Sequence, residues 1–438
     1  MKVIVAGGGL AGLTATRVLA KARIDVTIVE ARGRLGGRVE TVALPADQHG
    51  ELGGEFIDKE QDAIRSLCGE LGLRLVRVLR GGFTHRFRDD DGQYHVSRTR
   101  PWSELEALVA PHLQPFKEAN GSADSEIARE IAAWSLRAWL RERQATPGQH
   151  SMVDALRGFF LADPDDLSLL PLVQQLATDG SPAQVEMYRI EGGTGRLVEA
   201  LAREAAARVL LRHRLEAITH SPERVFVSVA DSHGHRQQLE ADAAIVTLPA
   251  STLRDVAIAP PLPDAQWRAI GALRYGAATK VVLQSPQGLF RGRARAFATD
   301  TALGAFWDST EGQLPGSELR LPGGSVLTFL GGGSTSATLK ARAERRAEEL
   351  ISDLCWLGMA RAPVTAMHTR TWEDEPFARG GYAYLDPSFD PAWRPLLGQR
   401  VGRLFFAGEH TSEQWQGYMN GAVETGLRAA EVVLRSEL

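Results

Sequence analysis

The chain has 438 residues, 44% of them hydrophobic and 24% charged. That size and apolar content suit about two to three domains with sizeable cores, and exclude a disordered or fibrous protein. Its 54 acidic and 50 basic residues leave a formal charge of -4 with no basic stripe, so nucleic acid is not an expected partner.

Two cysteines, Cys68 and Cys355, are too few for a disulfide framework or a thiolate metal site, and they fit a reducing compartment. Cys68 shares one helical face with Ile64, Leu67 and Leu71, a spacing that predicts core packing. No apolar run reaches the roughly 18 residues of a membrane span. The chain is therefore expected to be cytoplasmic, without a membrane partner.

The first element is the β-branched run Lys2 to Ala6, too short for a helix and suited to a buried parallel strand. Gly7-Gly8-Gly9-Leu10-Ala11-Gly12 leads into a helix through about Ala22, and Ile24 to Glu30 reads as a second strand. Gln61 to Leu71 is predicted helical. The turn Asp89-Asp90-Asp91-Gly92 suggests a hairpin within the mixed stretch that starts at Arg74. From Trp102 to Gln175 the pattern is mostly helical, with breaks near Thr146-Pro147-Gly148 and Asp163-Pro164, and is assigned to a separate domain.

Strand character returns at Val225 to Val229, turns through Ser232-His233-Gly234-His235, and is expected to come back through Ala243 to Thr247. His233 and His235 have no third ligand nearby and read as an exposed turn; no metal site is expected. Strands are predicted at Thr279 to Gln284 and Ser325 to Phe329, and an amphipathic helix at Ala337 to Leu357. A last strand, Leu404 to Ala407, precedes a helix from about Tyr418.

The spacing Gly7-x-Gly9-x-x-Gly12 is weak alone but lies between a predicted strand and helix, with Glu30 at the end of the next strand. Gly7 makes the tight turn, Gly9 lets the backbone approach a pyrophosphate, and Gly12 lets helix and strand pack closely. The helix N-terminus at Leu10 and Ala11 offers N–H groups to phosphate, and Glu30 can accept from ribose hydroxyls. The following Glu30-Ala31-Arg32-x-Arg34-Leu35-Gly36-Gly37-Arg38 resembles the second glycine-and-arginine motif of many flavoproteins, where it lies against FAD. Arg38 reads either as a cation near the pyrophosphate or as a solvated loop arginine.

With these and later motifs the chain resembles the flavin monoamine oxidase family, which includes monoamine and polyamine oxidases, lysine-specific histone demethylases and L-amino acid oxidases. The likeness is dense in residues 2 to 57, about 188 to 283, and 370 to 430. It implies an α/β fold: a discontinuous Rossmann-type FAD domain of residues 1–80, 188–269 and 367–438, with a mixed α+β substrate domain of residues 81–187 and 270–366. Gly53-Gly54-Glu55-Phe56 is similar to the segment under the flavin ring. Leu215 and Thr247 fall among the cofactor positions of the second block. Gly408 and Glu409 match positions near the ribityl and diphosphate, and Gly417-Tyr418-Met419 opens the last helix, where the Met419 N–H meets the flavin's pyrimidine edge.

The resemblance also implies catalytic positions. Lys280 matches the family lysine that holds a water beside flavin N5; an ammonium in a strand beside Val281 and Val282 is costly to bury without a task or partner, and the lesser reading is an outward-facing strand lysine. Tyr382 and Tyr418 match the aromatic pair in front of the flavin, whose ring faces attract a cationic amine; alone, each would read as core. Glu55 is unusual for the family, and is either a carboxylate that holds or deprotonates the amine or one turned to solvent.

Two departures carry information. Gly381 stands where monoamine oxidases have the cysteine that bonds the flavin, so non-covalent FAD is expected. Gly54-Glu55-Phe56 lacks the arginine that L-amino acid oxidases place soon after this segment, which argues against an α-amino acid substrate. The implied reaction is hydride transfer from the carbon next to an amine nitrogen to flavin N5. Dioxygen then yields hydrogen peroxide, and the imine hydrolyses to a carbonyl. The alternatives are a carbon-carbon desaturase on a related fold and, less in keeping with the sequence, a regulatory flavoprotein. The expected partners are a small amine and dioxygen, and a homodimer is compatible with the sequence.

Overall fold

The computed structural model describes residues 1–177, 186–290, 294–313, 323–358 and 362–436. Lys2–Ala6 forms the central strand of a five-stranded parallel sheet. The order across it is Arg208–Leu211, Asp25–Glu30, Lys2–Ala6, Ala243–Val246, Leu404–Phe406. Side chains alternate across such strands, and both faces here are covered. Val3, Val5, Ile28, Ile245 and Phe405 join the core shared with the helices Leu10–Lys21 and Met419–Arg435. Ile4, Ala6, Ala244, Val246 and Phe406 join the core on the opposite face, shared with the helical segment of residues 100–177. The two helices cross closely because residue 426 is glycine: a Cβ there would lie 2.4 Å from the Ala11 carbonyl oxygen.

A seven-stranded sheet lies alongside. Its order is Ala366–Thr371, Ala278–Ser285, Ser325–Gly332, Ala305–Asp308, Ala296–Thr299, Thr84–Arg88, Tyr94–Ser97. The last two strands are the hairpin expected around Asp89 to Gly92. Residues 100–177 form six helices, from Arg100–Glu118 to Leu170–Ala177. The expected break at Thr146 is a helix start: Pro147–Asp154 begins with a capping box between Thr146 and Gln149. Cys68 is buried in the core, whereas Cys355 is exposed.

Two expectations are corrected. Val225–Asp231 returns through Arg236–Ala241, not through Ala243–Val246. The return strand alternates exposed and half-buried residues at a sheet edge, and the fully buried run Ala243–Val246 enters the parallel sheet instead. The helix expected from Ala337 to Leu357 is divided into Ser334–Arg345, Ala347–Ser352 and a 3-10 turn Cys355–Leu357. A continuous helix would place Arg346 in the stripe of Leu339, Ala343 and Leu350, inside the core. The backbone at Arg346 is extended, with φ -158° and ψ 121°, and its side chain is exposed.

Candidate active site

A cavity of about 1870 Å³ opens at the carboxyl ends of the parallel strands and reaches the seven-stranded sheet. Ligands of open parallel sheets bind at this position. Every residue that the sequence assigned to the site lines it except Gly12. Gly12 packs against the loop, where a Cβ would lie 2.0 Å from the Gly7 carbonyl oxygen.

At one end lies a cradle of backbone. Gly7 has φ +110°, and a Cβ there would lie 2.4 Å from Thr247 Oγ1. The Thr247 hydroxyl donates to the carbonyls of Ala6 at 2.9 Å and Gly7 at 3.0 Å, tying two strand ends together. The helix Leu10–Lys21 has Gly9 as its N-cap and no side-chain cap, so its first-turn amides remain available to an anion. Gly36 N–H donates to the Gly8 carbonyl at 2.8 Å, joining the two glycine loops. The buried Glu30 accepts from Gly8 N–H and Arg32 N–H, both at 2.8 Å. Leu215 adds an apolar wall.

Arg38 is not a solvated loop residue. Its Nη1 donates to Glu409 Oε1 at 2.8 Å and to the Gly381 carbonyl at 2.7 Å, and its guanidinium sits 5.6 Å from the Tyr275 ring. Glu409 also accepts from Gly417 N–H at 2.7 Å, and Arg38 holds its carboxyl below the usual range against the opposing effect of burial. The pair clamps the end of the strand Leu404–Phe406 to the loop before Tyr382. Met419 opens the helix Met419–Arg435, so its N–H has no intrahelical acceptor.

The floor is an ion cluster. Glu55 Oε2 lies 2.7 Å from Lys280 Nζ, and Oε1 lies 2.8 Å from Arg189 Nε and 3.0 Å from Trp307 Nε1. Lys280 Nζ also donates to the Gly53 carbonyl at 2.9 Å and sits 5.0 Å from the Trp307 ring. The lysine therefore points inward. Glu55 is likewise turned inward, and its two cations hold its carboxyl below the ordinary range although burial alone would raise it. Among the described residues nearby Glu51 has no such cation in contact, and burial with the charge of Glu55 raises its pKa to about 8. Phe56 packs 5.3 Å from Trp307, with Arg189 5.0 Å above its own ring.

Tyr382 and Tyr418 both line the cavity. The Tyr382 hydroxyl donates to the Phe159 carbonyl, and a Cβ at Gly417 would lie 3.3 Å from its ring. Tyr418 stands edge-on to Trp415, with centroids 5.6 Å apart and an interplanar angle of 86°. Both phenols lie above the ordinary range, Tyr382 through burial and Tyr418 at about 12 although its residue is 39% exposed, so both are neutral at physiological pH. A glycine-lined cradle, two uncapped helix N-termini and a long continuous cavity fit a dinucleotide with a large planar group.

The sequence profile described as flavin containing amine oxidoreductase matches residues 10–434. The chain belongs to this family. Among the flavin-containing amine oxidoreductases, AofH of Mycobacterium tuberculosis, assigned by name to the flavin-containing monoamine oxidases, is 28% identical over 98% of this chain and 96% of its own. Amine oxidase [flavin-containing] A of Bos taurus is 24% identical over 99% of this chain and 85% of its own. Among solved structures, cyclohexylamine oxidase from Brevibacterium oxydans IH-35A superposes with TM-score 0.81 at 21% identity, covering 99% of this chain and 98% of that one. Putrescine oxidase bound to putrescine gives TM-score 0.81 at 21% identity over 100% of both chains. The fold is thus the α/β fold of flavin amine oxidases, and family membership implies a flavin.

The sequence reading did not single out Arg189, Trp307, Tyr275 or Asp58. Arg189 had a usable signal, a charged residue inside the otherwise apolar strand Met187–Ile190, of the kind that drew attention to Lys280. Trp307 and Tyr275 had none, because their roles depend on partners remote in sequence.

Proposed function

We propose that this flavin amine oxidoreductase is an FAD-dependent amine oxidase that oxidises the carbon next to an amine nitrogen. The observation that carries the reading is one cavity running from the glycine cradle, over the Lys280 floor, to Tyr382 and Tyr418. Family relatives named as cyclohexylamine and putrescine oxidases support an amine as substrate. Bound FAD supplies a two-electron acceptor, with dioxygen as the final oxidant and hydrogen peroxide and an imine or carbonyl as products.

The residues that would hold FAD are the first-turn amides from Leu10 and Ala11 for the diphosphate, Glu30 for a ribose, and the Met419 N–H for the pyrimidine edge. Non-covalent binding is proposed because residue 381 is glycine, and a Cβ there would already lie 2.5 Å from Leu161 Cδ1. Tyr382 and Tyr418 would present ring faces to the amine and exclude water around it. The amine must be uncharged at the moment of oxidation, since a protonated nitrogen has no lone pair to assist. Glu55 is a poor acceptor for that proton, because Lys280 and Arg189 already stabilise its ionised form. Its part is to orient the Lys280 ammonium at the cavity floor.

The same reading divides the chain into FAD-binding residues 1–80, 188–269 and 367–438 and substrate-binding residues 81–187 and 270–366. All five strands of the parallel sheet come from the first set. Strand Ala366–Thr371 pairs into the seven-stranded sheet, so the chain leaves that sheet at Thr371. Among the described residues no helix is long and apolar enough to cross a membrane, and a cytoplasmic location is proposed from the two unpaired thiols.

The test is anaerobic mixing of the yellow protein with a panel of amines. Bleaching of the flavin band, followed by recolouring and peroxide when air is admitted, is the expected result. A flavin that dithionite reduces and no amine bleaches would overturn the reading in favour of a carbon-carbon desaturase.

A further inference from the structure

Asp58 ends the short strand Ile57–Asp58 and lines the cavity, as Tyr418 does. Its half-buried carboxylate accepts one side-chain hydrogen bond, from Gln61 Nε2 at 3.1 Å. Among the described residues no cation lies within ion-pair distance of it, and its charged neighbour is Glu60, of the same sign.

The other carboxylates of the cavity are engaged or exposed. Glu30 accepts from two backbone amides, Glu55 is paired with Lys280 and Arg189, and Glu409 with Arg38. Glu216 is paired with Arg214 and Arg236, and Asp255 with Arg379. Glu60 and Glu413 are exposed. Removing a carboxylate from water without a counter-charge is costly, and the cost is offset where a ligand brings the cation. An alkylamine reaches the protein as an ammonium, because its pKa lies near that of a lysine side chain. Tyr418, which lines the same cavity, offers a ring for cation–π attraction to the same group.

We propose that Asp58 is the ammonium-docking residue of the substrate site. It receives the protonated amine in the cavity that Tyr418 also lines and selects cationic amines over neutral compounds of the same shape. This rests on the amine oxidase reading and names the charge state in which that substrate is first bound.

The test uses the FAD-loaded protein and benzyltrimethylammonium, a cation with no N–H and no lone pair, which binds without turnover. Its affinity is measured by calorimetry for the wild type, Asp58→Asn and Asp58→Glu, with the bound-flavin spectrum as the check that each variant is folded. Asp58→Asn is expected to weaken binding about 10-fold, the scale of one partly desolvated charge contact, while Asp58→Glu stays within about 3-fold of wild type. Equal affinity of wild type and Asp58→Asn, or no binding to the wild type, would overturn the assignment. Bleaching of the wild-type flavin by amines, read separately, tests the oxidase reading, so either can fail without the other.

Discussion

Lys280 Nζ lies 2.7 Å from Glu55 Oε2 although the two residues are separated by 225 positions, and both side chains are buried. Arg189 completes the cluster from a third segment, which leaves two cations against one carboxylate. A buried excess of positive charge stabilises negative charge developing beside it, here where the flavin ring is expected.

Replacing Lys280 by Met removes that charge while Glu55 keeps Arg189. Reoxidation of reduced flavin by dioxygen should slow by about 10² to 10³, the scale of losing one preorganised electrostatic contact. Stopped-flow mixing of dithionite-reduced protein with oxygenated buffer measures this step without any amine. An unchanged rate would remove Lys280 from the oxidative half-reaction.

Replacing Glu55 by Gln leaves Lys280 and Arg189 without their counter-charge. Breaking a buried ion pair from one side costs about 3–5 kcal/mol, so the variant should unfold at clearly lower denaturant. Denaturation curves of the wild type and Glu55→Gln check this, and overlapping midpoints would contradict the cluster.

The Arg38–Glu409 clamp joins a strand end to the loop before Tyr382. Arg38→Met should leave Glu409 buried without a cation and lower flavin retention. The ratio of visible to protein absorbance after desalting reads the effect directly. Retention equal to wild type would show that the clamp does not support cofactor binding.

Glu51 is held neutral to about pH 8 by burial and the charge of Glu55. Its folded pKa is raised, so its contribution to stability is present below the ordinary carboxylate pKa and is lost as pH rises towards 8. Glu51→Gln, with no proton to lose, should therefore gain relative to wild type between pH 5 and 8. The difference in Tm between the two proteins across that window measures it, and a constant difference would refute the raised pKa.

On the proposed non-covalent binding, acid precipitation should release all of the flavin into the supernatant. Yellow colour retained in the washed pellet would indicate a covalent link made elsewhere.

The strand, glycine loop, helix and second strand of residues 2–30 were legible in the sequence because each depends on neighbours in the chain. β-branched residues favour the strand, glycines permit the turn, and the carboxylate at the second strand's end lies opposite the first loop. The same holds for the last helix from Met419. What only the tertiary structure decided is the partnership of charges. Arg38 faces Glu409 and Glu55 faces Lys280, Arg189 and Trp307 because sheets built from distant segments close on one cavity. The cost of burying a charge says that a partner must exist, but local sequence does not name it. For the same reason Asp58, which among the described residues has no cation in contact, could not be distinguished from a surface carboxylate until the fold placed it in the wall of the cavity.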